Sequence, residues 1–454
     1  MTDNVPNPTA VLAAHVNSLK LSELPAGVVE FSRLLFADTV GVLLAASQHG
    51  PVARAIEALH VTSGPATLIG RAQGAPVEMA AFVNGIGGHD IELDDSHSPS
   101  RTHAASVVVP AALAAAQDGH GVSGATLLAG IICGYDVQVR ISKAMGVQNQ
   151  FDRGFHPTTV CGAFGSAAAA GHILGLGPDE IVSALALAGS QSCGLLTFEE
   201  DASHMTKSFQ TGVAARNGLY AALLARGGFK GTPDVLTGKH DALRPFGGPE
   251  PALGELTDGL GERFDICETS IKRHACCGQT HSSIDALLEI MSTNNVDGSA
   301  ITDIDVQLAH KAVPIVDGNA LWTHNIQYIL ALTALVGRVG HEHFGPAWTG
   351  RADIADLAGR VTVSGNDDLQ AVFPRRKGAI VTVRTADAEF SLKCPGPKGS
   401  PAWPLAVEEI RTKFDALAGE VLDSSQTDQL WRLCMAIEDE PDLTALYNLI
   451  AAPR

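Results

Sequence analysis

The sequence predicts a mainly α protein in which a large all-helical domain is joined to a smaller α+β domain. Apolar residues recur at helical spacing from about residue 8 to 270. Beyond that point short runs alternate between apolar and polar residues, as half-buried strands do. Gly and Ala abound while aromatics make up only 5%, so the core is built of small side chains that let helices approach closely. At 454 residues the chain exceeds what one compact core usually holds, and two domains are expected.

The elements read in order as follows. Leu21–Pro25 leads into a helix over Val28–Ala46, and Ala66–Gly70 reads as a short strand. Helices follow at Pro76–Asn84, Ala104–Gln117, Ser123–Met145, Thr159–Leu174, Pro178–Ser190 and Gly212–Arg226. Pro178 with Asp179 and Glu180 makes a good opening, since Pro fits the first turn and acids complement the N-terminal dipole. Gly227-Gly228 closes the helix before it. Later, Ile301–Ala309 and Arg360–Ser364 alternate like strands, and Ala379–Arg384 with Glu389–Lys393 reads as a hairpin. Helical stretches at Ser282–Ser292 and Ile326–Val336 lie between them, and Leu405–Ala418 returns to helix. The expected division is a helical domain over 1–268, completed by 403–454, and an α+β domain over 269–402.

The net charge is −18, from 31 Lys and Arg against 49 Asp and Glu. Such a surface argues against nucleic acid or an anionic membrane as partner. It leaves room for a small anionic substrate held by a few buried cations. No basic segment followed by an apolar run opens the chain, no apolar stretch reaches the ~20 residues of a span, and the eight cysteines form no CxxC pair. A cytoplasmic, reducing compartment is expected.

The densest polar run is His89-Asp90-Ile91-Glu92-Leu93-Asp94-Asp95-Ser96-His97, followed by Arg101-Thr102-His103. It can be a solvated loop capping the next helix. Flanked by apolar helices, it can equally be held against a core, where acids and imidazoles acquire the shifted pKa values of acid–base catalysts. His156 stands at a helix N-terminus, where the dipole disfavours a charged imidazole. Lys207 lies just upstream of an Ala-rich helix, and a lone lysine is usually a surface charge. Lys272-Arg273-His274, with Cys276-Cys277 and His281, concentrates positive charge at the expected domain junction and suits carboxylate binding. Gly85-Ile86-Gly87-Gly88 lacks a third glycine at the required spacing and the βαβ frame of a dinucleotide loop. The His89-Asp90 pair leaves an HD-type metal phosphohydrolase as a minor alternative, beside a non-catalytic scaffold.

Taken together, these motifs resemble the MmgE/PrpD family, which includes 2-methylcitrate dehydratase, cis-aconitate decarboxylase and iminodisuccinate epimerase. The resemblance is carried by His89…Glu92-Leu93-Asp94-Asp95-Ser96 with His103, by Gly154-Phe155-His156-Pro157-Thr158, and by Thr206-Lys207 through Gly218. Lys272 through Ala286 and Tyr328 extend it over nearly the whole chain. It implies a homodimer with its active site between a helical and an α+β domain, and no metal or other cofactor. It implies catalytic roles for His103, His156, Lys207 and Tyr328, and Glu92 is expected to act with them by setting tautomer and pKa. Ser96, Asp94, Lys272, Arg273 and His281 are expected to bind a small di- or tricarboxylate. Glu92 stands where the family usually has Asp, one methylene or ~1.5 Å longer, and His274-Ala275 replaces an aromatic-Pro pair. The expected activity is a lyase reaction through proton transfer beside a carboxylate. Dehydration of a 2-methylcitrate-like hydroxy acid is preferred, with epimerisation or cis-aconitate-type decarboxylation as alternatives.

Overall fold

The computed structural model describes residues 7–119, 121–201 and 203–451. Helices dominate it, and the strands are few and short. The helices that build the first core are α1 (Ala26–Ala46), α2 (Val77–Asp90), α3 (Ala105–Asp118), α4 (Gly124–Met145), α5 (Pro157–Ile173) and α6 (Met205–Arg226). Along α5 only His172 escapes full burial. A helix covered on every side has no room for large residues, which explains its run of Gly, Ala, Ser and Thr. The same core takes in Ile410, Phe414 and Ala418 of the later helix Val407–Ala418, and Leu446 and Ile450 near the C-terminus.

Close approach also explains the glycines before the acidic run. Gly85 to Gly88 are not a loop; they continue α2, which runs to Asp90. A Cβ on Gly85 would stand 2.9 Å from the Gly212 Cα of α6, and one on Gly212 would stand 2.5 Å from the Phe82 carbonyl oxygen. Contact between the helix backbones is therefore what fixes these residues. The α6 helix also begins earlier than its apolar pattern suggests, at Met205, and so carries Lys207 in its first turn.

A second core forms around a four-stranded sheet of β3 (Ile301–Leu308), β4 (Val361–Gly365), β5 (Ala379–Thr385) and β6 (Glu389–Cys394), in the order β4-β3-β5-β6. The β3–β4 pair is parallel, and the other two are antiparallel. Ile304, Val306 and Leu308 face the core together with Val381 and Val383. That alternation is the period-2 signal of the sequence. Helices α7 (His281–Asn294) and α8 (Ile326–Val336) belong to this core.

Between the cores lies a ladder that the sequence pattern does not reveal. Strand β1 (Asp95–His97) pairs antiparallel with β2 (Thr269–Ile271), Ser96 opposite Ser270. It sets the acidic run beside Lys272. No helix among the described residues is long and apolar enough to cross a membrane.

Replacing Gly212 with Val is expected to cost about 1–3 kcal/mol through overpacking, read as a lower thermal midpoint. Gly27→Ala, in α1 with nothing within 4 Å, is expected to leave the midpoint level or raise it. Equal midpoints for the Gly212 variant and the wild type would remove the close-crossing explanation.

Candidate active site

After α2 the chain turns through Glu92, whose φ of 54° lies in the left-handed region that non-glycine residues avoid. Two interactions hold the turn. Lys413 donates to the Leu93 carbonyl at 2.7 Å while paired with Asp38 at 2.8 Å, and the β1–β2 ladder holds Asp95 onward. Asp95 also accepts from the Ala105 amide at 3.1 Å and the Tyr135 hydroxyl at 2.8 Å, tying the run to α3 and α4.

These constraints bury Glu92 and Asp94 against two ammonium groups. Glu92 accepts from Lys207, from His204 Nε2 at 2.8 Å and from Lys272 at 2.7 Å. Lys272 also donates to Asp94 at 3.1 Å. Burial alone would raise the Glu92 carboxyl, but Lys207, Lys272 and His204 outweigh it and hold it well below the usual carboxylate range. Burial likewise opposes the charge on Lys272, and Asp94 with Glu92 overcomes it, so that Lys272 stays protonated. Asp94 is anionic for the same reason, with His89, Lys272 and His103 outweighing burial. Asp95, whose neighbours are less generous, is pushed up to about 8 by burial and then by Asp94.

Histidines surround this pair of carboxylates. His103 Nδ1 lies 2.9 Å from Asp94 and 2.6 Å from the Asp95 carbonyl oxygen. An acceptor on both sides puts the proton on Nδ1 and leaves Nε2 for exchange. His89 Nδ1 meets Asp94 at 2.7 Å, its ring is 4.5 Å from His103, and its buried Nε2 has no hydrogen-bond partner among the described residues. His156 Nδ1 donates to the Gln210 side-chain oxygen at 3.0 Å. Burial, then the nearby Lys207 charge, holds His156 and His324 neutral, each down to about 3. Burial lowers His103 too, against the pull of Asp94.

The residues expected from the sequence therefore divide. Glu92, Asp94, His103, His156, Lys207 and Lys272 meet in one buried cluster, and Ser96 stands at its edge on β1. Arg273 does not join them. The strand ends at Ile271 and the chain bends at Arg273, so Lys272 turns inward while Arg273, half-exposed, faces Asp285 at 3.4 Å. His281 belongs to a separate group: its Nε2 faces the Cys276 carbonyl at 3.2 Å and its ring packs on His274. The Tyr328 hydroxyl is directed away, donating to the His343 carbonyl at 2.5 Å, and its ring packs on Trp322 and Phe344. The residue that α8 brings toward Lys207 is instead His324, just before the Asn325 cap. His204 was also missed, although it lies one helical turn before Lys207, a spacing that shares a face.

His89, Asp94 and His103 bring possible ligand atoms within 4.8 Å of one another. Both imidazoles, however, direct Nδ1 at the same Asp94 oxygen, and Lys272 occupies the other. The group fits a hydrogen-bonded relay, not a cation cage. The adjacent His89 and Asp90 also part company, since Asp90 accepts from Ser208 at 3.1 Å. An HD-type metal pair is not formed here.

The chain matches the family models described as MmgE/PrpD N-terminal domain over residues 10–252 and MmgE/PrpD C-terminal domain over residues 274–438. A cis-aconitate decarboxylase-like protein, oryM, of Aspergillus oryzae is 31% identical, covering 99% of both chains. Cis-aconitate decarboxylase of Aspergillus terreus is 28% identical over 98% of this chain and 96% of its own. The Homo sapiens cis-aconitate decarboxylase is 25% identical over 98% and 95%.

Removing one partner of a buried ion pair strands the other, so Lys272→Ala is expected to destabilise the fold by about 3–5 kcal/mol. Chemical denaturation measures this, and an unchanged midpoint would show that Lys272 does not neutralise Glu92 and Asp94. For Asp95 the folded value of about 8 exceeds the ordinary 3.8. Its stabilising contribution is therefore full below the ordinary value and lost as pH rises through the folded one. Asp95→Asn removes this dependence, so the variant is expected to gain on the wild type in thermal midpoint as pH rises. A midpoint difference that stays constant with pH would mean that Asp95 is ionised in the fold.

Proposed function

Since the chain belongs to the MmgE/PrpD family, we propose that it is a lyase that decarboxylates a small unsaturated tricarboxylate of the cis-aconitate kind. The observation that carries this reading is the buried cluster of two ammonium groups braced by Glu92 and Asp94 and ringed by histidines. The relatives named above favour decarboxylation over the dehydration preferred from sequence alone. Both reactions, and epimerisation, share one difficulty, which is negative charge developing on a carbon beside a carboxylate.

In decarboxylation the bond to the departing carboxylate breaks and its electron pair becomes a new C=C bond. The old π pair moves to the carbon beside a retained carboxylate and takes up a proton there. Carbon dioxide leaves neutral, so no base is required, but one proton is consumed. Lys207 and Lys272 would stabilise the enolate-like charge; one preorganised donor of this type is worth ~3 kcal/mol. His103 would supply the proton from Nε2, with Asp94 supporting the imidazolium through Nδ1. His89 and His156 stay neutral and keep cationic competition away from the reacting carbon.

The test is incubation with cis-aconitate, following released CO2 and the product by NMR, in parallel with a hydroxytricarboxylate followed by alkene absorbance. Turnover of the first with CO2 release is expected. Alkene formation from the second alone would make the protein a dehydratase instead. His103→Ala is expected to lose about 10²–10⁴-fold in kcat with its circular dichroism unchanged. Because burial lowers the His103 value and the acid form donates, kcat is expected to fall as pH rises, with a midpoint below the 6.5 of an ordinary histidine. A flat profile there would remove His103 as the proton source.

A further inference from the structure

Charges inside the cluster balance: two ammonium groups, Lys207 and Lys272, face two carboxylates, Glu92 and Asp94. A guest carrying two or three negative charges therefore needs cations beyond them. Two stand alongside, and among the described residues neither has a carboxylate within the 4.0 Å of an ion pair. They are Lys377 and Arg101.

Lys377 stands two residues before β5. Its carbonyl is held by the Ser282 hydroxyl, and its Nζ reaches the Ser96 Oγ at 3.4 Å. Gly278 lies beside the ammonium, where a Cβ would stand 3.5 Å from Nζ in ordinary contact. Arg101, at a left-handed φ of 53°, lies 4.0 Å over the Phe151 ring and 5.6 Å from the Phe373 ring. One ring comes from each side of the domain junction. Stacking on ring faces leaves the N–H edges of a guanidinium free, and none of them bonds to protein among the described residues. Glu199 and Asp152 act on it only from a distance. Burial, with Arg101 and Lys272 nearby, brings the Lys377 ammonium down to about 8 against the pull of Cys277, the mark of a cation lacking its anion. Lys377 also borders a 960 Å³ cleft between the two cores, shared with Ser98, Ser270, Arg375 and Arg376 and with Glu268 as its acid. The cleft provides a cationic approach.

We propose that Lys377 and Arg101, with the Ser96 hydroxyl, form a subsite for a second carboxylate of the substrate, distinct from the one that meets Lys207 and Lys272. Arg101 offers the planar fork that suits a carboxylate, and Lys377 a point charge. The subsite selects polycarboxylates over monocarboxylates and fixes which carboxylate is left to depart. It rests on the polycarboxylate reading above.

Isothermal titration of the wild type, Lys377→Met, Lys377→Arg and Arg101→Met tests it with three probes. These are cis-aconitate, (E)-glutaconate, which lacks its central carboxylate, and methylmaleate, which lacks the carboxymethyl one. Lys377→Met and Arg101→Met are expected to bind cis-aconitate about tenfold or more weakly, while Lys377→Arg, which keeps the charge, stays close to the wild type. For whichever analogue lacks the carboxylate held here, the penalty of Lys377→Met is expected to vanish. Wild-type protein that binds none of the probes would overturn the polycarboxylate reading, and the subsite with it. Wild-type binding that Lys377→Met leaves unchanged, or weakens equally for all three, would overturn the subsite alone.

Discussion

The Glu92 carboxylate, buried between the ammonium groups of Lys207 and Lys272, is the contact on which the rest of the site depends. It joins three distant stretches of chain: the turn after α2, the first turn of α6 and the end of β2. Neither lysine could remain charged in such a place alone, because removing an ion from water costs several kcal/mol. Each cation is stable only because the carboxylate is there, and the carboxylate only because both cations are. The extra methylene of Glu relative to Asp matters in this light. It lets one carboxylate turned out of a left-handed backbone touch both ammonium groups and His204 at once.

Backbone strain falls at the same place. Glu92, Arg101 and His204 all have positive φ, a conformation that costs of order 1–3 kcal/mol for a non-glycine residue and survives only where its surroundings over-determine it. Those surroundings are visible. Lys413 grips the Leu93 carbonyl from the C-terminal helix, β1 pairs with β2, and Asp95 is tied to α3 and α4. The C-terminal segment thus does more than complete a core, since it props the turn that presents Glu92.

Much of the fold was legible because its periodicities are strong. Ile326–Val336 falls where the apolar pattern puts it, and β3, β5 and β6 follow their alternation to within a residue or two. What escaped reading was set by tertiary contact. Gly85 to Gly88 look like a loop, yet they are helical, and the backbones of Gly212 and Ser106 lie against Gly85 and Gly88. The start of α6 is polar, so periodicity placed it too late and left Lys207 outside the helix. In the site, residues inside dense motifs were legible: Glu92, Asp94, His103, His156 and Lys272. Arg273 was grouped with Lys272 because they are adjacent in sequence, but the chain bends at Arg273 and sends it outward to Asp285. His204 and His324 carry no local signal beyond their spacing from Lys207 and Asn325. Lys377 has none at all, since Arg375-Arg376-Lys377 reads as a basic turn until the fold sets it against Ser96.

The neutrality of His156 and His324 then constrains the chemistry. For the proposed decarboxylation, a pocket crowded with imidazolium would hold every carboxylate of a guest and resist the loss of any, because a departing CO2 sheds the charge those cations stabilise. Burial removes that difficulty by keeping His156 and His324 neutral beside Lys207. His103, which retains an anionic partner in Asp94, is the imidazole best able to take a proton and give it up. One carboxylate can therefore face uncharged rings while the others meet fixed cations. In the proposed reaction that asymmetry would lower the barrier to the charge-losing step relative to the bound ground state, as catalysis by differential binding requires.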